Sequence, residues 1–403
     1  MRGINRKCLI LEPEAFERSN IEKRLSEGGF NSIARFEQFI WDLEMFLQLQ
    51  RKLGDNIILK GGAAAQFYIP IASQRTSIDI DMICRATPDE VHAAVSEIED
   101  ELCGEREYCK FRIHKPQNPK LELSDLETYY IKVPSICGER ELFTSGSNQE
   151  VKIEFLFSAL EYPVEKIRNP VLFALETDRY FNVLALEHLL ADKLTTLGPT
   201  TIGIPEERAD EQFKQIYDLV TLFISNYELI IAGKERIKEN YEAAAGMECR
   251  MRRIPYDPQR LFRDMRTIIG RIMNIENDGE LLRRAYDFQS LYLRKSVNRD
   301  KAEWAIAGYQ LALLVGYILK DDTKILNYRK IAELCERLRF EDIHGPDRGR
   351  LNKEARIALV SSFGRIEEEL STDIFKKRMD RIIWELASKV PLSAILEAVN
   401  GIP

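Results

Sequence analysis

Between residues 77 and 82 polar and apolar side chains alternate strictly, with Ser77, Asp79 and Asp81 on one side and Ile78, Ile80 and Met82 on the other. A period of two marks a strand with one buried face, and side chains two apart share a face. Asp79 and Asp81 are therefore expected to point the same way. Just upstream, residues 57–59 form a short apolar strand that runs into Gly61 and Gly62 and then a small-residue helical stretch over 63–67.

A helical period governs residues 32–53, where Ile33, Phe36, Phe39, Ile40, Leu43, Phe46 and Leu47 make one stripe and predict a packing helix in front of the sheet. Thr87 followed by Pro88, Asp89 and Glu90 marks the start of a helix that runs to about residue 102. Residues 108–114 and 126–133 read as strands around a turn at 116–119. In 151–156, Val151, Ile153 and Phe155 face one way while Lys152 and Glu154 face the other. Further helices are expected at 186–197, 208–223, 324–340, 353–370 and 375–389. The most apolar run, 304–319, contains Gln310 and is short for a bilayer, so it reads as a buried helix.

A chain of 403 residues exceeds the usual single-domain length, so two domains are expected. Apolar residues at 45% and charged residues at 31% describe an ordinary soluble globular protein, and a net charge of -7 argues against a wholly basic nucleic-acid binder. Seven cysteines without a Cys-x-x-Cys pair point to reduced thiols, a cytoplasmic setting and no zinc site. The histidines at 92, 114, 188 and 344 form no ligand cluster, and no signal-peptide layout is seen at the N-terminus.

Two carboxylates on one strand face repel and raise each other's pKa, so the arrangement favours a cation between them. Mg2+ suits such a pair, because it takes one or two carboxylates and completes its shell with water and phosphate oxygens. Glycines at a strand-to-helix turn let the backbone approach a phosphate, and the helix start adds N–H groups. Lys193 falls in the middle of the apolar side formed by Leu186, Leu189, Leu190 and Leu197, where it either snorkels out or meets an interior anion. Asp218 falls away from the apolar side of Phe213, Ile216, Val220 and Phe223, so periodicity leaves its role open. Glu154 alone reads equally as a strand residue paired with Lys152.

Residues 250–299 hold twelve Arg plus Lys against six Asp plus Glu, interleaved with Tyr256, Phe262, Tyr286, Phe288 and Tyr292. Such a mixture suits phosphate contact and base stacking, or else forms salt-bridged helix faces with Asp264, Glu280 and Asp287.

Lys60-Gly61-Gly62 ahead of Arg75-x-Ser77-x-Asp79-Ile80-Asp81 resembles the AbiEii-type abortive-infection (type IV toxin) nucleotidyltransferases of the DNA polymerase beta-like superfamily. The resemblance implies an α+β fold, with a nucleotidyltransferase domain on a mixed sheet over 1–226 and an all-α domain over 227–403, the boundary region lying within 227–258. It implies Mg2+ on Asp79, Asp81 and Glu154. Nucleoside triphosphate contacts would come from Lys60, Gly61, Gly62, Arg75, Ser77 and Lys193, and Asp218 would join Lys193 as a catalytic group. Transfer to an acceptor such as tRNA, with Arg252, Arg253, Arg263 and Arg266 on the RNA, and a cognate antitoxin partner follow in the same way. Two positions depart from the family pattern: Ala63 stands where Thr or Ser is usual, and Gln215 replaces an acid in Lys214-Gln-Ile-Tyr-Asp-Leu219. The alternatives are a nucleotide-binding or regulatory protein that has lost the chemistry, and a transferase acting on a small molecule or a protein hydroxyl.

Overall fold

The computed structural model describes residues 4–103, 111–114, 125–135, 148–340, 346–364 and 376–402. In chain order, α1 (Arg18–Gly28) and α2 (Ile33–Leu53) precede β1 (Ile57–Lys60), α3 (Gly61–Ala65), β2 (Asp79–Cys84) and α4 (Pro88–Leu102). Then come β3 (Phe111–His114), β4 (Leu126–Pro134), β5 (Asn148–Phe157), β6 (Val164–Arg168) and β7 (Tyr180–Leu184). The chain continues through α5 (Leu186–Thr195), α6 (Ala209–Ser225), α7 (Tyr227–Ala232), α8 (Lys234–Met251), α9 (Pro258–Met273) and α10 (Gly279–Tyr292). It ends with α11 (Lys301–Lys320), α12 (Tyr328–Arg337), α13 (Pro346–Phe363), α14 (Met379–Lys389) and α15 (Leu392–Ala398). The turn expected at 116–119 and parts of the helices expected at 353–370 and 375–389 lie outside the described residues.

The chain separates into two compact units. The first comprises Met1–Thr196, Glu206–Tyr256 and Arg284–Asn298, the second Leu197–Pro205, Asp257–Arg283 and Arg299–Pro403. A single cut at 226 does not describe them, because α7 and α8 stay with the sheet and the chain returns to the first unit after residue 283.

The second unit is helical. Its central member, α11, starts at a capping box in which Asp300 accepts from the Glu303 N–H and Glu303 accepts from the Asp300 N–H. It is the one helix among the described residues long and apolar enough to cross a membrane, and most of it is buried. Gly308 lets α11 touch α9, since a Cβ there would stand 2.7 Å from the Met273 nitrogen. Arg381 on α14 is buried and donates to Glu385 (2.7 Å) and the Met273 carbonyl (3.1 Å) while its guanidinium covers the Tyr309 ring.

In the first unit the strands run in the order β3-β4-β5-β2-β1-β7-β6. β2 pairs antiparallel with β1 and parallel with β5, which makes the sheet mixed. β2 begins at Asp79, two residues after the alternation that starts at Ser77: residues 75–78 belong to no strand, the Thr76 N–H donates to the Tyr292 carbonyl, and Gln74 to Ser77 are buried by the polar contacts described below. α4 begins as expected, with Thr87 and Glu90 forming a capping box around Pro88.

α2 opens at Ser32, whose hydroxyl accepts from the Arg35 N–H, and every residue from 39 to 50 is buried. Its polar side chains are mostly satisfied by neighbours. Glu44 accepts from the Ile10 and Leu11 N–H groups (3.0 and 2.8 Å), and Gln50 donates to the Tyr180 carbonyl while accepting from the Asn182 N–H. Trp41 Nε1 and Asp42 are exceptions, and at Asp42 neither carboxyl oxygen has a hydrogen-bond partner. Burial, and behind it Asp79 and Asp81, push its pKa well above the usual carboxylate range against the pull of Arg35 and Lys214. Asp42 is thus protonated in the fold but ionised in the unfolded chain above about pH 4. Its contribution to stability is present below that pH and is lost as pH rises toward the folded value. Asp42→Asn should remove this dependence, so that variant and wild type converge near pH 4 and the variant gains up to about 1.4 kcal/mol per pH unit above it. Urea denaturation across pH 4–8 checks this, and a pH-independent difference would contradict it.

Candidate active site

Register places a line of charged side chains across four strands. Lys60 on β1 lies opposite Asp81 on β2, Asp81 opposite Glu154 on β5, and Glu154 opposite Thr128 on β4. One row behind, Asp79 lies opposite Lys152. Because alternate residues of adjacent strands share a face, the two rows stand on the same side of the sheet while Ile80, Met82, Ile153 and Phe155 are buried on the other.

Burial, then Glu154 and Asp79, raise the Asp81 pKa strongly. Burial also works against the Glu154 anion, but Lys152 at 2.9 Å and a hydrogen bond with Asp81 outweigh it and hold Glu154 below its usual value. Asp81 therefore keeps the proton and donates a hydrogen bond to the Glu154 carboxylate. Two hard oxygen donors with a proton trapped between them fit a divalent cation, which would replace that proton. Among the described residues no group of three His, Cys, Asp or Glu is placed to hold a metal, and Asp79 does not line the cavity that Asp81 and Glu154 face.

The glycine turn is shaped by this acid. Gly61 has a φ of +69°, and a Cβ there would overlap the Asp81 carboxylate. At Gly62 a Cβ would stand 2.8 Å from Arg75 Nη2 and 3.1 Å from Ser77 Oγ. Two glutamines hold the intervening segment in place. Gln66 donates to the Gly62 carbonyl and accepts from the Arg75 N–H, and Gln74 donates to the Gln66, Ile69 and Val171 carbonyls and accepts from the Phe173 N–H. Nothing in the sequence pattern singled out either glutamine.

Arg75, Asp218 and Lys193 meet in the interior. Arg75 Nε and Nη2 donate to the two Asp218 oxygens at 2.8 and 2.6 Å, and Lys193 Nζ donates to Asp218 Oδ2 at 2.7 Å and to Gln215 Oε1 at 2.9 Å. Asp218 is 0% exposed and Arg75 1%, so Asp218 is an interior residue although it lies off the apolar side of α6. In the structure α6 is buried nearly all round from Gln212 to Phe223, and two cations neutralise the acid. Burial opposes the Asp218 anion, but Arg75 and Lys193 hold its pKa below the usual range. Burial, reinforced by Arg75, lowers the Lys193 pKa despite Asp218. Lys193 thus does not snorkel. Arg75 faces inward and Ser77 is buried beside Gly62, so neither lines the cavity.

That cavity, of about 590 Å3, is lined by Lys60, Gly61, Asp81, Glu154 and Lys193. Lys60 Nζ lies 3.1 Å from Asp192; burial opposes its charge, but Asp192 and Asp81 together raise its pKa. Arg208 and, at the end of α8, Arg252 and Arg253 complete the wall, Arg252 paired with Glu248 and Arg253 in the left-handed region at φ +57°. Arg263 and Arg266 lie elsewhere, exposed on α9 in the second unit. The aromatic residues of this segment divide similarly. Tyr256 and Tyr286 are 41% exposed, whereas Phe288 and Tyr292 are core residues, Phe288 packing on Phe213 and Tyr217. Asp264 makes no surface salt bridge of the expected kind but accepts from the Thr200 N–H and the Thr200 and Thr201 hydroxyls.

The glycine turn against an acidic pair on a mixed sheet thus faces a cavity lined by Lys60 and Lys193, a setting suited to an anionic ligand. The chain belongs to the nucleotidyl transferase AbiEii toxin family of type IV toxin–antitoxin systems, whose model matches residues 46–288. Similar solved structures include a "putative nucleotidyltransferase from H. pylori", at 13% identity and TM-score 0.38, covering 71% of this chain and 98% of that one. MenT4, a nucleotidyltransferase toxin from Mycobacterium tuberculosis H37Rv, is similar at 12% identity and TM-score 0.40, covering 76% and 92%. No curated protein matches the chain.

Gly61→Ala tests the fit of the turn. Gly29 also has positive φ, at +69°, but has open space around a Cβ, so Gly29→Ala carries backbone strain alone, on the order of 1 kcal/mol. Gly61→Ala adds overlap with Asp81 and should cost at least about 2 kcal/mol in urea denaturation. Equal losses in the two variants would show that Asp81 does not press on the turn.

Proposed function

We propose that the chain transfers a nucleoside monophosphate from a nucleoside triphosphate to an acceptor hydroxyl in the cavity over Asp81 and Glu154. The observation that carries this is the cross-strand register of Lys60, Asp81 and Glu154 beside the Gly61 turn. In the transfer the acceptor oxygen bonds to the α-phosphorus, the bond to the β-phosphate oxygen breaks and pyrophosphate leaves. Glu154, held ionised by Lys152, is placed to take the acceptor's proton. Lys60 and Lys193 neutralise phosphate charge, and the N–H groups at Gly61 and Gly62 approach phosphate where no side chain intervenes. Arg75 and Asp218 position Lys193, and Ser77 supports the turn. A divalent ion such as Mg2+ would be held by Asp81 and Glu154, with Asp79 one row behind them, and would supply charge for the triphosphate when bound.

The acceptor we infer is RNA, tRNA in particular, in keeping with the toxin family and with Arg252 and Arg253 on the cavity wall. Arg263 and Arg266 would add phosphate contacts, and an antitoxin would be the partner in a cytoplasmic setting.

Incubation with each labelled nucleoside triphosphate and total RNA reads the activity directly. Asp79→Ala and Asp81→Ala should each abolish labelling with cooperative unfolding retained; a folded, active variant would sink the assignment. Glu154→Gln should lower the transfer rate by a factor on the order of 10^2 or more. Changing Arg252, Arg253, Arg263 and Arg266 together to Glu should weaken tRNA binding and flatten its dependence on salt, whereas Asp81→Ala should leave tRNA bound. An unchanged salt slope in the four-arginine variant would remove RNA from the reading.

A further inference from the structure

The second unit holds a cavity of its own, of about 480 Å3, large enough for a nucleotide-sized ligand. It lies between α9 and α11, bounded where Gly308 touches Met273 and, toward the other end, where Lys320 Nζ lies 4.6 Å from the centre of the Phe262 ring and 3.3 Å from Gln259. Glycines remove side chains from both walls. A Cβ on Gly270 would meet nothing within 4 Å, and one on Gly316 would only touch Asp322. The floor is apolar, with Ile269 and Leu313, and Phe262 offers an aromatic edge.

The rim has the opposite character. Arg266, Lys320, Lys324 and Lys389 line the cavity against a single carboxylate, Asp322, in a protein whose net charge is -7. Two of these cations are committed within the fold: Lys324 donates to the Ser388 carbonyl at 2.8 Å, and Lys389 pairs with Glu385 at 3.3 Å. Lys320 rests on an aromatic face and a neutral amide, contacts that leave its charge unneutralised, and Arg266 is exposed. An apolar slot with an aromatic wall and an uncompensated cationic rim is complementary to a planar ring that carries a phosphate.

We propose that this cavity binds a nucleotide, with the base in the slot beside Phe262 and the phosphate at Lys320 and Arg266. The ligand is either a free nucleotide or one nucleotide of a single-stranded RNA. The site lies wholly in the helical unit and does not depend on the chemistry at Asp81.

The test uses the full chain in EDTA, with AMP as the free probe by calorimetry and a short labelled single-stranded RNA by fluorescence anisotropy. AMP lacks the triphosphate and EDTA removes divalent ions, so failure here is separate from failure of nucleotidyl transfer. Gly270→Leu fills the slot from a helix position with open space and should weaken binding about tenfold or more. Lys320→Glu combined with Arg266→Glu should do the same without changing the slot. Weakening of both probes supports a site open to free nucleotide, and weakening of RNA alone supports one that reads a nucleotide within a chain. If neither probe binds, or if both variants bind as tightly as the wild type, the proposal fails. Should Gly270→Leu lose cooperative unfolding, the Lys320 and Arg266 double variant decides.

Discussion

One buried carboxylate, Asp218, holds two cations that reach it from separate segments. Arg75 comes from the extended segment ahead of β2, Lys193 from α5, and Asp218 itself from α6. Removing Asp218 leaves two buried cations without a counter-charge, and such a loss is far larger than that of a surface pair. The triad also fixes the neighbouring glycine turn, because the Arg75 guanidinium lies where a Cβ on Gly62 would stand. Arg75 and Ser77 are thus buried behind the cavity wall, against Lys193's partner Asp218 and the glycine turn.

The acidic pair depends on the same framework. Parallel pairing of β2 with β5 puts Asp81 beside Glu154, and the absence of a side chain at Gly61 gives the Asp81 carboxylate its room. Without a cation the pair relieves its repulsion by retaining a proton on Asp81. Lys60 and Lys152 flank it, so the site carries alternating charges in close register, suited to an anionic ligand that brings its own cation.

Local features were legible in the sequence because a local pattern determines them. The alternation around Asp79 and Asp81, the alternation at Glu154, the Thr87 cap and the stripe of α2 all reappear in place. What the pattern did not show depends on contacts between distant segments. The burial of Asp218 goes with Arg75 from 143 residues away, and a helical wheel, which places it off the apolar side, does not show what that side meets. The start of β2 at Asp79 reflects Gln66 and Gln74 holding the preceding residues in polar contacts that compete with strand pairing. Phe288 and Tyr292 read as candidates for base stacking but are core, since the chain returns to the first unit after residue 283 and packs them on α6. The stripe of α2 likewise gave no hint of Asp42, an acid buried without a partner.

The central claim is that Asp218 is the interior counter-charge on which the site is built. Guanidinium denaturation of Asp218→Asn at neutral pH tests it most directly, since the substitution keeps the shape and removes the charge. The account predicts a loss of about 3–5 kcal/mol of stability, as for a broken buried pair. A variant within about 0.5 kcal/mol of wild type would contradict it, because that is the behaviour of a surface substitution.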